Sequence, residues 1–205
     1  MKKREGILTV QALGVNMTET LILDPRTTAL VLIDLQNGIV SRDTKPYSAS
    51  EVIARARKLA DAFRAKNAPV VYVRVVMSDF LSLPADEVMT LPKDMPAHLS
   101  EIAESAGMQN GDLLISKRHW GAFAGTGLEH ELRGRGVETV VLAGIATNMG
   151  VESTLRQGTG LGFIFVTVED ACSTFSPEMQ DFAFSAIFPR LSRVRKTQQV
   201  LEAIA

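Results

Sequence analysis

Cysteine is nearly absent: Cys172 stands alone in 205 residues, so no internal disulfide can form. A disulfide-stapled secreted module is thereby excluded, and a reducing, cytoplasmic setting is expected. Long apolar runs are missing as well. The longest, Leu161-Gly-Phe-Ile-Phe-Val-Thr-Val168, is far short of the roughly 20 residues a membrane helix needs. Lys2, Lys3 and Arg4 precede a mildly apolar stretch from Gly6 to Val15, but Glu5 and Gln11 spoil it and no small-residue cleavage pattern follows. Residues 1–27 therefore read as an N-terminal extension rather than a signal peptide. Charge of one sign is lacking too: 22 Lys and Arg stand against 23 Asp and Glu, a formal net charge of -1. That balance leaves no electrostatic footprint for nucleic acid or an acidic membrane. His98, His119 and His130 show no metal-ligand spacing and none lies beside the cysteine, so no metal is expected. Gly125-Thr-Gly127 lacks both the preceding strand and the third glycine of a dinucleotide fingerprint. No cofactor is expected.

What is present is a globular composition, 46% hydrophobic and 22% charged, which excludes a disordered chain and suits a single domain over residues 1–205. Ala29-Leu-Val-Leu-Ile-Asp34 is a short continuous apolar run, the mark of a strand buried on both faces of a parallel sheet. Val52, Ile53, Ala56, Leu59, Ala60 and Phe63 then recur at helical spacing from about residue 50 to 66. Further strands are expected over 70–76, 112–117, 137–143, 163–168 and 192–195. Helices are expected over 126–135, 148–157, 177–187 and 197–204. Strands alternating with helices specify right-handed crossovers and a doubly wound α/β architecture in three layers. The stretch from Ser78 to Gly111, with Pro84, Pro92 and Pro96 and no dominant period, reads as a functional loop such as a lid or pocket wall.

In such a sheet, ligands bind at the carboxyl ends of the strands near the point where strand order reverses. Asp34 ends the first strand, Lys117 the third, and Gly144-Ile-Ala-Thr-Asn-Met-Gly-Val151 joins the fourth to its helix. Asp34 and Lys117 are read as ending neighbouring strands. A buried carboxylate beside a buried ammonium can hold or move a proton, or can be an ion pair that only closes the sheet ends. The glycine-bearing turn can present backbone N–H groups to an anion or oxyanion. Trp120 and Phe123 suit a pocket wall or the core equally. His119 stands within reach of the pocket and His130 on an exposed helix face. Cys172, taken to follow the fifth strand in a loop, reads as a small buried residue rather than a nucleophile.

Taken together, Thr28-Ala-Leu-Val-Leu-Ile-Asp-Leu-Gln-Asn37, Lys117-Arg-His-Trp-Gly-Ala-Phe123 with Gly125-Thr-Gly-Leu128, the 144–151 turn and Glu169-Asp-Ala171 resemble the isochorismatase-like, or cysteine-hydrolase, superfamily. The resemblance implies a Rossmann-like, six-stranded parallel sheet. It also implies a site built from Asp34, Lys117 and position 150, a cis peptide between Ile145 and Ala146, and an oxyanion hole formed by the N–H groups of Ala146 and Gly150. Gln36, Trp120, Phe123, Thr147 and Asn148 are the substrate-binding residues it suggests. Where thiol-dependent members carry the nucleophilic cysteine, this chain has Gly150. Without a side chain no covalent thioester can form there, whereas isochorismatases proper need none. In vinyl-ether cleavage Asp34 would be the general acid, with Lys117 orienting it and attracting a substrate carboxylate. The alternatives are C–N hydrolysis by activated water and a catalytically silent protein that binds a small acid. A homodimer or homotetramer is expected from the family, with Phe182, Phe184 and Phe188 crowding one helical stretch.

Overall fold

A computed structural model of the chain describes residues 20–88, 91–92 and 94–204. Six strands, β1 (Thr28–Ile33), β2 (Val70–Val75), β3 (Leu113–Lys117), β4 (Thr139–Ile145), β5 (Ile164–Ser173) and β6 (Arg193–Arg195), form one all-parallel sheet in the order β3-β2-β1-β4-β5-β6. The interior strands are the continuous apolar runs of the sequence, and every residue of β1 is buried. The edge strands β3 and β6 alternate or are part-exposed, as strands with a free edge do. Helices flank the sheet on both faces. From β1 the chain winds outward through β2 to β3, then returns to β4 and winds the other way through β5 to β6. Right-handed crossovers in opposite directions place their helices on opposite faces.

The helices are α1 (Asn37–Val40), α2 (Ala49–Ala65), α3 (Leu128–Gly134), α4 (Glu152–Gly160), α5 (Pro177–Phe182) and α6 (Thr197–Ala203). Ser48 starts α2 with a capping box: its hydroxyl accepts from the Glu51 N–H, and the Glu51 carboxylate accepts from the Ser48 N–H. Such a cap satisfies two otherwise orphaned donors. The apolar stripe from Val52 to Phe63 is buried, as its spacing requires. Leu128 and Leu132 of α3 face the core and His130 faces solvent. The Gly125-Thr-Gly127 turn serves the start of α3: Thr126 donates to the Ala122 carbonyl and accepts from the Leu128 N–H.

Two expectations are corrected, both on β5. β5 does not stop at Val168 but runs on through Glu169, Asp170, Ala171 and Cys172 to Ser173. Its two acids are absorbed locally, since Glu169 accepts from the Tyr47 hydroxyl and Asp170 accepts from the N–H and hydroxyl of Thr197 at the start of α6. Cys172 accordingly lies within β5, paired with Gly144 and fully buried, not on a loop. The helix expected over 177–187 is α5 followed by a π-helical turn, Ala183–Ile187. It parts the three phenylalanines: Phe188 is buried and carries Phe184 edge-on, while Phe182 is exposed. The N-terminal extension expected over 1–27 is outside the described residues up to residue 19. Within the remainder, Leu21 and Leu23 are buried and the Leu23 N–H donates to the Ala203 carbonyl. Among the described residues no helix is long and apolar enough to cross a membrane.

Candidate active site

Strand order reverses between β1 and β4, and the two chain segments that leave their carboxyl ends meet there. Asp34 follows β1 with φ at 52° and donates its N–H to the Val73 carbonyl, a left-handed conformation unusual for a residue with a side chain. Gly144, near the end of β4, has φ at 130°, and a Cβ on it would come within 2.2 Å of the Ile33 carbonyl oxygen. Only glycine lets β4 close against β1 at that point. The peptide between Ile145 and Ala146 is cis. The chain then turns through a π-helical segment, Thr147–Val151, into α4, with the Ala146 carbonyl accepting from Met149 and Val151.

Lys117 ends β3, which is not the neighbour of β1. The sheet order puts β2 between them, so the two strands lie roughly 10 Å apart at ordinary strand spacing. The expectation of neighbouring strands fails, yet the long lysine stem closes the gap. Its Nζ lies 2.8 Å from Asp34 Oδ2, and the two side chains are 2% and 8% exposed. The same ammonium donates to the Trp120 carbonyl at 2.7 Å. Among the described residues Asp34 Oδ1 is buried with no hydrogen-bond partner. Burial raises the Asp34 pKa above the ordinary carboxylate range, and the pull of Lys117 offsets this only in part.

Gly150 faces this pair. A Cβ on it would stand 3.0 Å from Asp34 Oδ2, 3.0 Å from Ile33 Cγ2 and 3.3 Å from Lys117 Nζ. Whatever residue occupies position 150 therefore presents its side chain to the acid and the ammonium together. Thr154, one turn on, accepts from the Ala122 N–H and donates to the Gly150 carbonyl, tying the loop after β3 to this turn.

Above the pair opens a cavity of about 450 Å³ whose floor includes Asp34, Lys117, Ala146 and Gly150. Its walls are largely apolar, formed by Ile39, Met77, Phe80, Trp120 and Met149 among others, with Val88, Leu91 and Met95 contributed by the proline-bearing stretch. That stretch is thus a pocket wall, one of the two uses expected of it. His119 also lines the cavity, stacked on Phe80, which meets the edge of Trp120.

Of the substrate-binding residues expected from sequence, only Trp120 lines this cavity. Gln36 is fully buried and clamps the end of β2, accepting from the Val75 N–H and donating to the Val75 and Leu99 carbonyls. Phe123 packs in the core, its ring stacked on Phe163 at 5.6 Å. Thr147 donates to Gln180, and Asn148 accepts from Thr174. Each of these polar groups is engaged by the protein itself. Sequence reasoning missed Arg42, which lines the cavity with its guanidinium carbon 5.0 Å from the centre of the Phe175 ring. Its signal was position: it follows α1 directly after the Asp34 block.

A family model described as the isochorismatase domain matches residues 28–199. The chain is 45% identical over 189 residues to an uncharacterized isochorismatase family protein, YecD, of Escherichia coli O157:H7, covering 89% of this chain and 98% of that one. It is 30% identical to the ureidoacrylate amidohydrolase RutB of Methylobacterium radiotolerans, covering 78% of this chain and 72% of that enzyme. Among solved structures, an isochorismatase family protein from Burkholderia thailandensis superposes with a TM-score of 0.86 at 40% identity, covering 91% of this chain and 99% of that one.

Proposed function

Because the chain belongs to the isochorismatase family of hydrolases, we propose that it hydrolyses a small molecule without a thiol nucleophile, cleaving a vinyl ether with Asp34 as general acid. The observation that carries this reading is the buried carboxyl of Asp34, raised in pKa and facing a position 150 that has no side chain. Position 150 corresponds in this reading to that of the family's nucleophilic cysteine, and glycine there can form no covalent intermediate. A carboxylic acid that keeps its proton against a nearby cation is suited to donate it.

Asp34 delivers its proton to the enol methylene carbon of the substrate. The C=C pair forms the new C–H bond and leaves an oxocarbenium carbon. Water adds to that carbon, and its released proton returns to Asp34. The hemiketal then breaks its C–O bond, the departing oxygen takes up the hemiketal proton, and a ketone and an alcohol result. Lys117 holds the acid in place from β3. The N–H groups of Ala146 and Gly150, at the cavity floor, are positioned in this reading to steady oxygen as charge moves.

Amide hydrolysis by activated water is the second reading, favoured by the amidohydrolase relatives. One experiment separates the two. Purified protein is given isochorismate with pyruvate release followed, and a panel of small amides with ammonia release followed. Pyruvate release that falls 10²–10⁴-fold in Asp34→Asn is the expected result, the usual cost of losing a general acid. Ammonia without pyruvate overturns the vinyl-ether chemistry. Turnover of neither class leaves the chain as a binding protein and overturns both.

A further inference from the structure

The cavity has two charged regions, one at its floor and one at its exposed side. At the floor, the Lys117 ammonium is already engaged by Asp34 at 2.8 Å and by the Trp120 carbonyl at 2.7 Å. That leaves one of its three N–H donors, so a fork that takes both oxygens of a carboxylate must come from another residue. Arg42 lines the same cavity from its exposed side. Among the described residues its guanidinium has no acidic partner, because the adjacent Asp43 is taken by Lys45 at 3.1 Å. The face of Phe175 holds it, 5.0 Å from the ring centre. A cation held over an aromatic face keeps its N–H donors for a further partner, and the guanidinium fork matches a carboxylate with two parallel hydrogen bonds. The backbone keeps this arrangement together: Lys45 and Thr174 exchange N–H to carbonyl bonds at 2.7 and 2.9 Å, joining the segment that carries Arg42 to the one that carries Phe175.

Asp34 is the one carboxylate lining the cavity among the described residues, and it is neutral or paired. Nothing acidic in the lining opposes an anion at Arg42. Between the two ends the walls are apolar.

We propose that Arg42, braced on Phe175, is a specificity-determining residue that takes the carboxylate of the substrate at the solvent end of the cavity. The substrate class is then a small organic acid with a compact apolar or aromatic body, held with its charged end at Arg42 and its labile bond over Asp34. This rests on the cavity being the substrate site but not on which bond is cleaved.

Trp120 is the single tryptophan of the chain and lines the cavity, so its fluorescence reports occupancy without turnover. Benzoate and benzamide, near-identical in shape and different in charge, are titrated at low ionic strength into the wild type, Arg42→Ala, Arg42→Lys and Lys117→Met. Benzoate is expected to bind the wild type about tenfold more tightly than benzamide. Arg42→Ala removes that preference and leaves benzamide unchanged, Arg42→Lys recovers part of it, and Lys117→Met retains it. Equal binding of the two probes, an equal effect of Arg42→Ala on both, or loss of the preference only in Lys117→Met overturns the assignment, as does a fluorescence signal that neither probe changes. Pyruvate release without a benzoate preference overturns the role of Arg42 alone. A benzoate preference without pyruvate release overturns only the chemistry proposed above.

Discussion

Replacing Lys117 by methionine removes half of a buried ion pair while keeping most of the side-chain stem. The charged atoms are 2.8 Å apart and both side chains are under a tenth exposed, a setting in which deleting one partner costs about 3–5 kcal/mol. The partner left behind is a carboxyl, which can escape the penalty by taking up a proton. In the wild type burial already raises the Asp34 pKa against the pull of Lys117, and without Lys117 it rises further. In the unfolded chain the same group titrates near about 3.9. Between the unfolded and folded values the native state binds more protons than the unfolded state, so stability falls as pH rises, by about 1.4 kcal/mol per unit. The wild type follows that slope until Asp34 ionises beside Lys117, and the variant continues down it to a higher pH. The deficit of Lys117→Met should therefore be small near pH 4.5 and should widen with pH toward the full cost of the broken pair. Urea denaturation of both proteins at pH 4.5, 6 and 7.5 measures it. A deficit already at the full cost of the broken pair at pH 4.5 and the same at all three values would mean that Asp34 stays ionised throughout, and the acid proposed for it would have no proton to give.

Activity should fall as pH rises through the raised pKa of Asp34, at a pH above the ordinary carboxylate range, since only the protonated form can act as the acid; a pH–rate profile that rises there would contradict this. Gly150→Ala places a methyl group 3.0 Å from Asp34 Oδ2 and is expected to cost about 10²-fold in kcat/KM with little change in Tm, because small displacements at the reacting centre are expensive and the shift needed in the surroundings is a few tenths of an ångström. Gly144→Ala is expected to destabilise by about 3 kcal/mol or more in denaturant titrations, its Cβ meeting the Ile33 backbone at a positive φ. The Cys172 thiol, fully buried with its pKa pushed up to about 12, should resist iodoacetamide with no loss of activity; stoichiometric alkylation with inactivation would place a thiol in the chemistry.

The sheet was legible because its interior strands are largely apolar runs, and Asp34 and Lys117 mark the ends of β1 and β3. Their partnership was legible too, but not its route. Hydrophobic pattern says where a strand is and not which strand lies beside it, so the placement of β2 between β1 and β3 was hidden. Glu169 and Asp170 looked like the end of β5 because acidic residues seldom continue a buried strand; their partners, Tyr47 and Thr197, are distant in sequence. Gln36, Thr147 and Asn148 lie in the expected blocks, with their side chains engaged by the protein. A polar side chain that satisfies buried backbone and one that binds a ligand are the same residue types, and only the hydrogen-bond partners tell them apart. Phe123 differs from Trp120 only in facing Phe163 rather than the cavity. Arg42 carried no motif, and its significance depends on Phe175 and on the pairing of Asp43 with Lys45.

The lysine that reaches over β2 turns the spacing of three strands into an acid strength. At an effective dielectric constant of about 20, a unit pair at 2.8 Å attracts by about 6 kcal/mol, and opening it by a single ångström removes roughly 1.5 kcal/mol, close to one pKa unit for the carboxyl. The pull of Lys117 on the Asp34 carboxyl, the part that opposes burial, thus depends on the hydrogen-bonded ladder joining β3, β2 and β1. A shift of β3 against β1 would retune the acid from beneath the cavity, and Trp120, whose carbonyl holds the same ammonium, ties that tuning to the pocket wall.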